Sequence, residues 1–336
     1  MKKKERILSS LTFWLLLQFL LPGCSGREEE EEIPEVFCKI GINIDWTGVK
    51  KLPENIAVIF YPQDGEGKGD PHFLSATEKN EKINMKPGRY KVLIYNCDDG
   101  VYEVQVRNTE RLETIEAYSE PCTEMGAPKG SMLDPLLLYV VQEDLTIGEN
   151  DIEKTLEVSP QLITQTCSFK IKTEGLEYVK EASASISGVA FSYFLGLKRF
   201  SDESCTIFIK MQKSNGVLKG KFNFFGVPGS EARALSSIPQ QLTLRIVRRD
   251  DSIQEEKIDI TAIIQQIIEN GNGGGSGEEP GETPGGSTEP GDDIEIEDKI
   301  EVPYVPPPSS GGEGGGGIGG EVDDWGDEEE IVLPMK

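Results

Sequence analysis

Among the 336 residues, Cys24 is the one whose surroundings most clearly dictate a reaction. It closes the run Leu21-Pro22-Gly23-Cys24: a branched apolar residue, two intervening positions with a small residue last, then cysteine. That is the spacing of a bacterial lipobox, with Leu21 and Gly23 as its defining positions. In such a box the thiol is thioether-linked to diacylglycerol, and cleavage leaves the cysteine as the first residue. The expected modification is therefore a covalent N-acyl diacylglycerol on Cys24, carrying palmitate-type chains. Three acyl chains anchor durably where a single one binds only marginally. Residues 1–23 fit a lipoprotein signal peptide: Lys2, Lys3, Lys4 and Arg6 precede the apolar stretch Leu11–Leu21. At about 1.5 Å per residue that stretch is too short for a hydrocarbon core of about 30 Å. The competing reading is an ordinary secretory signal with an unrelated cysteine.

No other constellation points to bond-making chemistry. Cys38, Cys97, Cys122, Cys167 and Cys205 show no Cys-x-x-Cys spacing, which removes zinc and redox motifs. Cys38 with Cys97, or Cys167 with Cys205, are candidate neighbours across strands, and most of the five read as small buried apolar residues. The single histidine, His72, is expected in a surface loop after Asp70-Pro71. Asp323, Asp324, Asp327 and Glu328–Glu330 lack the ligand spacing and turn glycine of a calcium loop. We expect no catalytic residue, no metal and no dissociable cofactor, hence no enzyme.

The formal charge of −25 is unevenly placed. From Gly271 onward 18 acids stand against two bases, which leaves −16, and Ile33–Asn270 carries only −8. A chain this acidic does not bind nucleic acid by neutralising phosphates. Glu28, Glu29, Glu30, Glu31 and Glu32 form a solvated, self-repelling tether spanning 24–35. The run also resembles the acidic signal that moves lipoproteins of the Bacteroides group to the outer leaflet; a plain spacer is the alternative.

The elements that would be tethered are strands. Cys38, Ile40, Ile42, Ile44 and Trp46 alternate on one face, the period of a half-buried strand. Ile56–Tyr61, Arg89–Asn96 after the turn Met85-Lys86-Pro87-Gly88, Val101–Val106 and Leu136–Val141 follow. A second set comprises Lys154–Val158, Thr166–Lys172, Ser204–Met211, Leu218–Phe224 and Gln241–Val247. Ile260, Ile263, Ile264, Ile267 and Ile268 keep helical spacing up to Asn270-Gly271. This predicts an all-β protein of two antiparallel β-sandwich domains, 36–148 and 149–270, with one short helix. A flexible Gly/Pro/acidic linker over 271–320 precedes a docking strand over 321–336. In that strand Ile331, Leu333 and Met335 share a face and, with Trp325, would be its plugs.

Three segments carry a family resemblance: Ile44–Thr47, the hairpin 85–96 and the terminal 314–335 with its Val-Asp-Asp-Trp and Leu-Pro-Met pieces; Leu176–Gly188 adds to it. Together they resemble the fimbrillin-like surface lipoproteins of Bacteroidales, a group that includes fimbrium subunits and their anchors, and within it an uncharacterised branch. The resemblance implies transthyretin-like sandwiches, a fimbrial anchor or accessory subunit at the outer membrane, and assembly with fimbrial subunits by strand complementation. No cleavage arginine stands between the tether and the first strand, which favours an anchor over a shaft subunit. The terminal strand could dock on another chain or fold back on its own. The competing function is a surface glycan-binding lipoprotein with an aromatic platform; Trp46, Tyr61, Tyr95 and Tyr102 fall in predicted strands, and a host ligand is left open.

Overall fold

The computed structural model describes residues 36–306 except 48, 50–51, 66, 79–80, 98–104, 230–237 and 272–293. The fold is all-β, with two sandwiches and one α-helix among the described residues. In the first sandwich β1 (Cys38–Ile44), β4 (Lys82–Met85) and β9 (Glu153–Val158) form a sheet in the order β4-β1-β9. It faces a second sheet ordered β10-β8-β5-β2-β3, built from β2 (Asn55–Pro62), β3 (Asp70–Ser75), β5 (Gly88–Cys97), β8 (Tyr139–Ile147) and β10 (Gln161–Leu162). Cys38 and Ile40 of β1 meet Val58, Phe60, Val92 and Ile94 in the core between them. The apolar runs of β2 and β5 are continuous because both faces of their sheet are covered.

The second sandwich packs two four-stranded sheets. One contains β16 (Gln212–Ser214), β17 (Val217–Phe224), β11 (Gln165–Glu174) and β20 (Ile294–Glu301), in that order. The other contains β15 (Ser204–Lys210), β12 (Val179–Ala190), β18 (Gln241–Arg248) and β19 (Ile253–Asp259). Phe169, Ile171, Phe222 and Phe224 oppose Ala184, Ile186, Leu242 and Leu244. The helix α1 (Thr261–Gly271) starts where the Asp259 carboxylate accepts a hydrogen bond from the Thr261 N–H at 2.9 Å, and it buries Ile264 against this core.

Several expectations need correction. Glu153–Val158, assigned to the second sandwich from the sequence, runs parallel to β1 in the first. His72 is not in a loop: it lies in edge strand β3, opposite Val58, with its ring edge-on to Phe60. Ile294–Val305, placed in an unfolded linker, includes β20, which pairs in parallel with β11 and buries Ile296, Ile300, Val302 and Val305. Charged residues are interleaved with these apolar ones in the sequence, and Lys299 and Glu301 are exposed while Ile296 and Ile300 reach the core. β12 and β19 were not anticipated either. The inward positions of β12 include Ala182 and Ala184, too small to give a strong period-two signal. The five cysteines from Cys38 to Cys205 form no disulfide with one another.

A fifth sheet joins the halves. β6 (Val106–Arg107) and β7 (Glu116–Tyr118) come from the first half, β13 (Ser192–Phe194) and β14 (Arg199–Phe200) from the second, in the order β14-β13-β7-β6. It packs Ala117, Tyr193 and Leu195 on the outer face of β2 and β5, against Ile59, Tyr61 and Leu93. At its centre Glu116 is buried. The Arg107 Nε donates to its Oε2 at 2.7 Å, and the Ser192 hydroxyl donates to its Oε1 at 2.5 Å. Burial would raise this carboxyl's pKa, but the hydrogen bonds from Arg107 and Ser192 outweigh it and hold it below the ordinary value. The Arg107 guanidinium lies 4.8 Å from the Tyr118 ring centre and 5.6 Å from that of Phe191.

Candidate strand-docking site

Cys24, Leu21, Gly23 and Glu28–Glu32, together with Trp325, Ile331, Leu333 and Met335, lie outside the described residues. What the fold does display is how each sandwich manages its strand edges. In the second, the edge of β11 is covered by β20, which reaches it across residues 272–293, and Val302 N–H closes onto the Glu174 carbonyl at 2.9 Å. A parallel neighbour needs a crossover of a dozen or more residues, and the chain from Gly175 onward, through β12–β19 and α1, supplies it.

In the first sandwich, part of one edge has no neighbouring strand among the described residues. β4 pairs with β1 only from Cys38 to Gly41, whereas β9 continues to Ile44 on the other side. Lys39 N–H donates to the Ile152 carbonyl and Asp45 N–H to the Val158 carbonyl, so odd-numbered residues of β1 point their N–H toward β9. Alternation then turns the backbone N–H and C=O of Ile42 and Ile44 toward the opposite edge, where no strand lies among the described residues.

Beside that edge opens a cleft of about 560 Å³. Its apolar lining includes Ile42, Ile44, Trp46, Leu52 and Leu74. Trp46 forms its end: the indole N–H donates to the Ala76 carbonyl at 3.0 Å, and the ring stands edge-on to Tyr139 at 6.2 Å. β3, across the cleft, is itself an edge strand. Three carboxylates line the cleft, Asp45, Glu78 and Glu81, with no basic residue among the described lining. Asp45 accepts hydrogen bonds from the Thr47 hydroxyl and N–H, which lower its pKa, and Glu81 accepts from Ser75 N–H at 3.2 Å.

The sequence reading placed Ile42, Ile44 and Trp46 on one strand face but missed this opening. It depends on where β4 stops, which no local pattern records. The aromatic residues in strands are structural where they are described, and they do not make the platform a glycan binder would need: Tyr61 and Tyr95 are buried, and Trp46 braces the cleft.

Comparison with known proteins agrees with this architecture. The family described as "Domain of unknown function (DUF5119)" matches residues 23–210. A Bacteroides ovatus protein named "Putative fimbrium anchoring subunit Fim4B" is 34% identical over 348 residues, covering 96% of this chain and 98% of its own. A crystal structure described as "a putative adhesin", also from Bacteroides ovatus, superposes with a TM-score of 0.62 at 30% identity, covering 85% of this chain and 100% of that one. A family match over more than half of the length, joined to likeness along nearly all of it, places the chain in the DUF5119 family, within the fimbrillin-like group of the Bacteroidales.

Proposed function

We propose that this chain is a non-enzymatic fimbrial anchor or accessory subunit at the cell surface. It is held to the outer membrane by the acylated Cys24 and joins fimbrial subunits by β-strand complementation. The observation that carries the reading is the 34% identity, along nearly the whole of both chains, to a protein named for anchoring fimbriae. Two features of the fold suit the role. Sandwiches joined by a shared sheet suit a load-bearing subunit, and a strand edge with no neighbour among the described residues, beside an apolar cleft, suits the uptake of an extended segment. The acidic run Glu28–Glu32 keeps the fold clear of an anionic membrane.

The test is removal of the protein from a fimbriated Bacteroidales host. An anchor's loss releases fimbriae into the medium, and tagged full-length protein recovers fimbrial subunits from surface extracts. Fimbriae that stay attached to the deleted strain, with no subunit recovered, refute the proposal.

A further inference from the structure

We infer that the acidic run 321–330 docks on a lysine face of the second sandwich of its own chain, bringing the terminal apolar residues 331–335 to rest beside it. In β11 Cys167, Phe169 and Ile171 are buried, so Ser168, Lys170 and Lys172 take the outer face. In β17 Leu218 and Phe222 are buried, which puts Lys219 and Lys221 on the same side of the sheet. Register sets Lys170 directly opposite Lys219, and Lys221 opposite Ser168. Glu174 is the only acid in either strand, and it pairs with Lys299 of β20. On the other flank β20 brings Glu295 into register with Lys170. Like charges directly opposite each other destabilise a sheet, so this face favours a partner of opposite charge laid across it.

The chain carries such a partner. Val302 N–H donates to the carbonyl of Glu174, two residues beyond Lys172, and Val305 is buried, so the chain leaves this sheet beside the lysines. From Pro306 to Glu321 it can span at most about 50 Å. Residues 321–330 then hold seven acids and no base. A segment tethered this closely meets the face at an effective concentration on the order of millimolar. The connection 272–293 is the competing occupant, but its six acids are spread over 22 residues. It would have to order more chain for each charge contact, a cost in entropy that the denser run avoids. The contact stands apart from the fimbrial reading; within that reading it gives the segment offered to other subunits a resting place.

The test is zero-length carbodiimide cross-linking of the full chain, mixed from unlabelled and nitrogen-15-labelled protein and read by mass spectrometry. Amides are expected between Asp323, Asp324 or Asp327–Glu330 and Lys170, Lys172, Lys219 or Lys221, within one isotope label. They should fall about fivefold between about 20 and about 500 mM salt. K170E/K219E should cut the amides at Lys172 and Lys221 about tenfold. A second arm leaves the sandwich untouched: D323N/D324N/D327N with E328Q/E329Q/E330Q should speed acetylation of the four lysines about threefold, with exposed Lys129 as the unchanged reference. Amides that join differently labelled copies assign the run to a second copy and overturn the inference. Amides to these lysines from Glu278–Asp293 in place of the run overturn it too, as do acetylation rates that the neutralised run leaves unchanged. None of these outcomes bears on the recovery of fimbrial subunits, which tests the fimbrial reading separately.

Discussion

Replacing Ile296 by alanine probes how the second sandwich is finished. Ile296 is 5% exposed in β20 and lies opposite Ile171 of β11. Losing its outer carbons at about 0.8 kcal/mol each, plus a cavity term, costs about 2–5 kcal/mol. β20 is special because it follows residues 272–293, a glycine-, proline- and acid-rich connection, so it can leave its sheet without pulling α1 or β19 with it. Once substitutions exceed its docking free energy the strand detaches, and further loss in it costs nothing. I296A/I300A should therefore cost less than the sum of the single changes. Urea unfolding of the variants measures the energies, and native-state amide exchange locates them. Protection should fall in β20 and on the β11 edge facing it, while β12 and β18 remain protected. Strict additivity, with protection lost equally across β12 and β18, would refute a separately docking strand. A cost under about 0.5 kcal/mol for I296A would refute its burial.

Other outcomes follow from single contacts. G175A should lower stability by more than about 1 kcal/mol in thermal melts, since Gly175 sits at φ +71° and a Cβ would come within 2.2 Å of the Val302 carbonyl oxygen that follows β20. E116Q should destabilise the protein by about 1–3 kcal/mol at pH 7. Because the Glu116 carboxyl titrates below its ordinary 4.5 when folded, its ionised form stabilises the fold above that pH. The wild-type advantage should thus close as pH falls below 4.5, and parallel acid-unfolding curves for the two proteins would contradict this. Burial pushes the Cys167 thiol up to about 12, so it should resist maleimide at pH 8 until the protein unfolds, as mass spectrometry of the labelled peptides can check. C24A should abolish incorporation of labelled palmitate and move the protein out of the detergent phase; unchanged partitioning would rule out the lipid anchor.

Strands with large apolar residues at period two were legible in the sequence, as β1, β2, β5, β11 and β17 attest, and so was the isoleucine-striped α1. Where the inward residues were alanines, as in β12, or were interleaved with acids, as in β20, the local signal was too weak to outweigh composition. The pairing of β9 with β1 and the shared fifth sheet were beyond reach, because both join residues far apart in the chain.

By itself, the sequence determined the all-β class and the placement of charge at the chain's two ends, and it supplied the lipobox-like run Leu21–Cys24 on which the proposed lipid anchor rests, each a matter of neighbouring residues or composition. Tertiary structure alone decided that β20 closes the second sandwich, that Glu116 and Ser192 tie one half to the other, and that β4 pairs with β1 only up to Gly41 among the described residues. The reason is physical: an edge is free or covered according to which distant segment reaches it, and no run of adjacent residues encodes that meeting.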